Sequence, residues 1–371
     1  MKFQVSTSEL LKKLQVCYGV IVPNPVLPIT EDFLFKLYSG RLDISATNME
    51  TSISTSLTVN QLEEGEIAVP ARILIETLKA LPDQPLTFNA DSETSNIELV
   101  SSYGKYSLAG DKTEDFPIMP DQDNVQEFEI TASRFASAIS KCIFATSNDE
   151  LRMAMTGVLM QLDFNKVIFV ATDAHKLVKY AIGGLNTEIS DSIIIPKKTL
   201  NLLKNIILEE GPLKVAFNTK NVFLDFGDTL VISRLIDAKY PDYNAVIPVD
   251  NNNELIINRK DLQNSLKRIG IYANKSTNQV VLNFSNNSLT ISGKDLDFSN
   301  EATEQLVCKY NGEAMSIGYN SKIFAELLNH NDTNEIILQL STPNRAGIIV
   351  PDEQEENEHL MMLIMPILSS Y

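Results

Sequence analysis

The sequence predicts an α+β fold built from three copies of one domain, each a doubled βαβββ unit with antiparallel strands. Two landmarks keep a common period of about 125 residues across the 371-residue chain. A strand running into an amphipathic helix opens at residues 3–10 and returns at 128–135 and 255–262. An apolar residue that closes a strand before a second helix sits at Val69-Pro70-Ala71-Arg72, Ile195-Pro196-Lys197-Lys198 and Ile317-Gly318-Tyr319-Asn320. Independent landmarks sharing one period argue for repetition of a single fold, with domains at 1–123, 124–251 and 252–371. The polar joins Asp121-Gln122-Asp123-Asn124 and Asp250-Asn251-Asn252-Asn253 suit those boundaries.

Within each copy the period of the apolar residues assigns the elements. Alternation at period 2 predicts strands at 33–37, 42–46 and 51–55, then 156–162, 167–172 and 177–182, then 279–284, 289–292 and 300–306. Helices are expected at about 8–20, 71–81, 132–145, 197–209, 259–272 and 320–329. Ser6 followed by Glu9 resembles a capping box, and Asn258 and Asn320 occupy N-cap positions. Phe135, Ile139, Cys142 and Ile143 form one apolar stripe, with Arg134 and Lys141 away from it; Leu262, Leu266 and Ile269 form another, opposite Lys260 and Lys267. A strand at 360–364 ends the last copy before Pro366.

Charge is sorted by element. The chain carries a net −17, which on its face argues against nucleic acid. Yet the six helical windows hold 14 basic and 5 acidic residues, against 17 and 43 elsewhere. Helices tolerate Lys and Arg well, but they tolerate Glu equally, so propensity leaves the missing acids unexplained. Cys17, Cys142 and Cys308 are odd in number and widely spaced, which fits reduced thiols and neither a disulfide framework nor a zinc site. No signal segment or membrane span is legible, so a soluble, cytoplasmic protein is expected.

Catalytic signatures are missing: there is no Gly-rich phosphate loop, no Gly-x-Ser-x-Gly elbow and no His-Glu-x-x-His. The one constellation to weigh is Thr172-Asp173-Ala174-His175, where Asp173 beside His175 could form an acid/base pair. The matching place in the first copy reads Thr47-Asn48-Met49-Glu50, so a shared turn is the simpler reading. No catalytic residue, metal site or cofactor is assigned. The apolar ending Leu363-Ile364-Met365-Pro366-Ile367-Leu368 suggests a groove for short peptides.

Taken with Met1-Lys2-Phe3, Leu27-Pro28-Ile29, Val69-Pro70-Ala71-Arg72, Asp115-Phe116-Pro117, residues 170–177, Tyr240-Pro241-Asp242-Tyr243 and Met365-Pro366, the chain resembles, over its whole length, the bacterial sliding clamp family, the beta subunit of DNA polymerase III. The resemblance implies three clamp domains, helices lining a ring pore, antiparallel sheets forming the outer wall, and a homodimer that encircles double-stranded DNA without sequence specificity and supports processive replication. It implies that Tyr106 and Leu108 pack against Ile271 and Tyr272 of a second copy. Arg72 and Lys198 match family positions near DNA, and helix placement adds Lys12, Lys13, Arg134, Lys141, Lys197, Lys260 and Lys267.

By the same resemblance, the DNA polymerase III catalytic subunit, the clamp loader, other polymerases, and mismatch-repair and ligation proteins insert a short hydrophobic motif between the second and third domains. The pocket's walls are then Met155, Thr172, His175, Lys176, Leu177, Pro241, Val246, Leu363, Ile364, Met365, Pro366 and Ile367. This chain departs from the family at Asn24, where some relatives carry a basic residue, at Ala174 for Gly, at Lys176 for Arg, at Ala245 for Arg, and in its Ser369-Ser370-Tyr371 tail. A protein scaffold that binds no DNA is the alternative, and it leaves the basic helices without a purpose.

Overall fold

A computed structural model describes residues 1–91, 93–206 and 211–368. Six α-helices lie among them: α1 (Thr7–Tyr18), α2 (Ala71–Ala80), α3 (Ala132–Cys142), α4 (Lys197–Ile206), α5 (Arg259–Ile269) and α6 (Ser321–Asn329). Five fall within the predicted windows, and α1 begins one residue before its own. The expected end of α4 and the Ser369-Ser370-Tyr371 tail lie outside the described residues. Helix α3 stops early because residues Ile143–Ala145 tighten into a 3-10 turn.

The caps explain where several helices start. Asn258 accepts from the Asp261 N–H at 3.1 Å, and Asn320 accepts from Lys322 and Ile323. Ser6 caps α1 by accepting from Glu9 N–H. Its second support comes from Asp83, which accepts from the Ser6 hydroxyl at 2.7 Å and from Ser8 N–H at 3.2 Å. A distant carboxylate therefore joins the cap of the first helix.

Packing divides the chain differently from its period, into two compact units: residues 1–136 with 198–235, and residues 137–197 with 236–371. In the first unit an eight-stranded antiparallel sheet runs in the order Gln126–Thr131, Pro212–Phe217, Asn221–Asp225, Thr229–Arg234, Thr51–Thr58, Arg41–Thr47, Asp32–Tyr38, Gly65–Pro70. Strand Thr229–Arg234 thus pairs with Thr51–Thr58, so one sheet joins the first repeat to part of the second. A five-stranded sheet contains Lys2–Ser6 at its second place and ends on Lys105–Ala109. Phe3, Phe33, Phe35 and Phe88 fill the core, with Phe3 stacked on Phe88 at 4.9 Å. Leu10, Leu14 and Cys17 of α1 and Leu74, Ile75 and Leu78 of α2 are buried as well. Each such aliphatic side chain contributes about 1.5–3 kcal/mol by leaving water.

The second unit repeats the device. Its nine-stranded sheet pairs Lys176–Gly183 with Glu358–Ile364, joining the rest of the second repeat to the third. A four-stranded sheet ends on Asn300–Val307. Helices α5 and α6 bury Leu262, Leu266, Ile269, Phe324, Leu327 and Leu328. Gln263 donates through Nε2 to the Ala325 carbonyl at 3.0 Å. The end of α5 passes so near the start of α6 that a Cβ on Gly270 would lie 2.7 Å from Ser321 Oγ. All three cysteines are unbonded and buried, and burial pushes the Cys17 thiol up to about 12.

One carboxyl of the first unit sits in acidic company. Asp32, only 6% exposed, opens its strand with Oδ2 buried and without a hydrogen-bond partner. Burial, then the Asp111 carboxyl beside it, and Glu31 raise its pKa to about 7. Asp111 is held there by backbone bonds to Ala68 in both directions. A carboxyl whose folded pKa is raised favours folding while protonated. That contribution is whole below the ordinary carboxylate range and is lost as pH rises through about 7. Asp32→Asn is therefore expected to raise stability by on the order of 2 kcal/mol at pH 8 and to change little at pH 4. Urea midpoints at the two pH values check this, and an equal effect at both refutes it.

Candidate nucleic-acid interface and peptide pocket

The cationic helices begin in an unusual way. Lys197 and Lys198 open α4, Arg259 and Lys260 open α5, Arg72 is second in α2, and Lys322 is second in α6. Helix starts carry partial positive charge and ordinarily attract acids. Yet α2, α3, α4 and α6 have no acidic residue in their first turn. Cations at a positive helix end cost stability, and side chains placed there suit phosphate.

The predicted DNA-contacting residues separate into two sets. Lys12, Lys198, Lys260 and Lys267 are exposed and make no ion pair among the described residues. Arg72 is exposed but pairs with Glu76 at 3.1 Å, one turn on. Lys13 pairs with Asp228. Lys141 does not project freely as its helical position predicts: it is partly buried, bonds Asp332 at 2.7 Å and lies over the Tyr180 ring. Arg134 is half-buried, and Lys197 donates to Asn148 at 3.0 Å. The partners Asp228, Asp332 and Asn148 escaped sequence reasoning. Asp228 and Asp332 stand 215 and 191 residues from the lysines they bind, with no pattern to mark them. Asn24 has a local task, its Oδ1 accepting from Val26 and Leu27 N–H within its loop.

Of the residues expected to form a peptide pocket, Lys176, Leu177, Leu363 and Ile364 meet at the seam between strands Lys176–Gly183 and Glu358–Ile364. Leu177 and Leu363 face one another in register, as do Lys176 and Ile364. Leu177 and Leu363 belong to a buried apolar cluster with Val170, Ile194 and Tyr243, against which Tyr240, Ile247 and Met361 pack. Of the other expected wall residues, His175 and Pro241 are exposed, as are Val246 at 51% and Met365 at 39%, while Met155, Pro366 and Ile367 are half-buried. The chain after the last strand is fixed at two points: Met365 N–H donates to His175 O at 2.9 Å, and Ile367 N–H to Gly318 O at 2.8 Å. Apolar side chains are thereby presented on a hydrogen-bonded backbone.

The turn beside this surface is the shared one. Asp173 Oδ1 accepts from His175 and Lys176 N–H, both at 2.9 Å, and Thr172 Oγ1 accepts from Ala174 N–H at 3.1 Å. In the first repeat Asn48 Oδ1 accepts from Glu50 and Thr51, and Thr47 Oγ1 from Met49. With its carboxylate committed to this turn and to Lys176 Nζ at 2.9 Å, Asp173 is a structural residue, and the acid/base reading with His175 loses its footing. Lys176 is itself buried, its Nζ also bonding Glu326 at 2.9 Å. Burial opposes that charge, but Asp173 and Glu326 outweigh it and hold the lysine pKa above its ordinary value.

The residues expected to meet a second copy lie on open surface or at a sheet margin. Tyr106 and Leu108 lie on Lys105–Ala109, the outermost strand of its sheet, where Leu108 is buried and Tyr106 half-buried. Ile271 and Tyr272 follow α5 with 64% and 44% of their surface exposed.

Repeated helix pairs backed by antiparallel sheets, with unpaired cations on the helices, define the class of DNA sliding clamps. The chain belongs to the DNA polymerase III beta subunit family: its N-terminal, central and C-terminal domains match at residues 1–120, 129–242 and 244–367. The beta sliding clamp of Vibrio cholerae is 27% identical over 99% of this chain and 100% of its own length. That of Salmonella typhimurium is 28% identical, over 98% of this chain and 100% of its own. Among solved structures, the DnaN sliding clamp of Pseudomonas aeruginosa superposes with a TM-score of 0.94 at 24% identity, and that of Bartonella birtlesii with 0.91 at 25%, each covering 100% of both chains. The family is a non-catalytic processivity factor of DNA replication.

Ala174 occupies the left-handed region at φ 76, as Met49 does in the first repeat at φ 74. An L-residue with a side chain is strained there, whereas glycine is not. Ala174→Gly is expected to stabilise the protein by about 0.5–1 kcal/mol, read as a higher urea midpoint with an unchanged slope. A lower midpoint refutes the strain.

Proposed function

We propose that two copies of this chain close head to tail into a ring around duplex DNA and slide along it, tethering polymerases and other DNA-processing proteins in the cytoplasm. The cationic helix starts carry this reading. Unpaired lysines on helices from all three repeats offer phosphate contacts without base readout, which permits movement over any sequence. Acids dominate the rest of the chain, and screening over about 8 Å keeps them from cancelling the local field at the helices. A scaffold binding only proteins gives these cations no task.

Ring closure is supported by two strands open on one side, Lys105–Ala109 in one unit and Asn300–Val307 in the other. Such edges attract a strand from another chain, and a head-to-tail contact between unlike edges generates a closed ring. Tyr106, Leu108, Ile271 and Tyr272 are the side chains we assign to that contact. We also assign domain limits at 1–123, 124–251 and 252–371; the family matches run over 1–120, 129–242 and 244–367, so the third begins eight residues before our limit. The seam around His175, Pro241, Val246 and Met365 supports a pocket for short hydrophobic motifs of the DNA polymerase III catalytic subunit, the clamp loader, other polymerases, and mismatch-repair and ligation proteins.

Loading onto a nicked circular plasmid with a clamp loader and ATP tests encirclement. The protein is expected to stay on the circle and to leave once the plasmid is cut, and retention on linear DNA refutes the ring. Deleting residues 365–371 is expected to abolish binding of a polymerase-derived hydrophobic peptide while light scattering still shows a dimer. Unchanged peptide affinity refutes the pocket.

A further inference from the structure

Lys176 was expected among the residues that touch a bound peptide, but its surroundings leave it little to offer. Its side chain is 8% exposed, and its ammonium group bonds Asp173 Oδ2 and Glu326 Oε2, both at 2.9 Å. The ammonium also lies 5.9 Å from the centre of the Phe144 ring, which stacks on His330 at the end of α6 with ring centres 3.8 Å apart. The cation is therefore surrounded by carboxylates and an aromatic face.

We propose that Lys176 is a positioning residue that fixes the pocket turn to α6 through Glu326. It rests on the reading of this seam as a peptide pocket. A continuous set of contacts carries the effect. Glu326 holds Lys176, Lys176 holds Asp173, and Asp173 Oδ1 holds the His175 and Lys176 N–H groups. The His175 carbonyl then holds Met365 N–H at 2.9 Å. Met365 is the exposed apolar side chain at the end of that line, so its placement depends on a carboxylate of α6 that belongs to none of the pocket walls.

Removing one carboxylate leaves a buried cation half compensated, which loosens the turn more than the loss of one surface contact does. Arginine, with a planar fork of donors, can satisfy both carboxylates, whereas methionine fills the space and satisfies neither.

The test uses full-length protein and a fluorescein-labelled peptide copied from the clamp-binding segment of the same organism's DNA polymerase III catalytic subunit, read by anisotropy. Glu326→Gln and Lys176→Met are each expected to weaken binding by about 5–10-fold, with the double variant no weaker than Lys176→Met alone, because both act through one contact. Lys176→Arg is expected to bind as the wild type does. Wild-type affinity in Glu326→Gln beside a loss in Lys176→Met overturns the proposal, since Lys176 then touches the peptide directly. Amide exchange on peptide-free protein is the second arm: the His175 and Lys176 amides are expected to exchange faster in Glu326→Gln, and unchanged protection overturns the proposal. Should wild type bind no peptide, the pocket reading fails, and the exchange result still decides the role of Lys176.

Discussion

A strand at the margin of a sheet carries unpaired N–H and C=O groups, and most of this architecture follows from where those groups find partners. Thr229–Arg234 completes its hydrogen bonds against Thr51–Thr58, and Lys176–Gly183 does so against Glu358–Ile364. Each joint is a ladder of five or more residue pairs, so a repeat boundary is hydrogen-bonded as the interior of a sheet is. Successive repeats consequently share sheets, and the packed units cut through the second repeat while the sequence period does not. Lys105–Ala109 and Asn300–Val307 are two of the margins left over, and the two we assign to contact with a second copy.

The two joints use one turn with different chemistry around it. In the first, Thr51 bonds Thr199 at 3.0 Å and Thr199 bonds Ser233 at 2.7 Å, a buried line of hydroxyls. At the place of Thr51, the second has Lys176 with its two carboxylates. Hydroxyls can both give and accept and so satisfy each other neutrally. A buried ammonium demands charged partners and makes the geometry more sensitive to the loss of any one of them. Repetition supplied the backbone twice, and substitution at one position set how firmly each copy is held.

Much of the fold was legible because it is written in local periods. The helix starts at Ala71, Ala132, Lys197 and Arg259 follow from apolar spacing, and the Asn258 and Asn320 caps from residue type. Leu177 and Leu363, assigned to the pocket through family likeness, are buried in one apolar cluster. Less legible were contacts between residues far apart in the chain. Nothing near Lys13 announces Asp228, nothing near Lys141 announces Asp332, and Glu326 is an ordinary helical acid until the fold brings it to Lys176. The Asp83 contribution to the first helix cap was hidden for the same reason.

Internal pairing of the lysines also bears on how a tether moves. An ion pair formed within the protein has already released its share of water and counterions, so a passing phosphate gains less from it than from a bare ammonium. With Lys13, Lys141 and Arg72 occupied by Asp228, Asp332 and Glu76, few cations remain to grip any one phosphate. On the proposed reading, the attraction rests on separate exposed lysines such as Lys12, Lys198, Lys260 and Lys267. On that reading such a surface gives low friction: the energy of the duplex changes little as it turns or advances by one base pair.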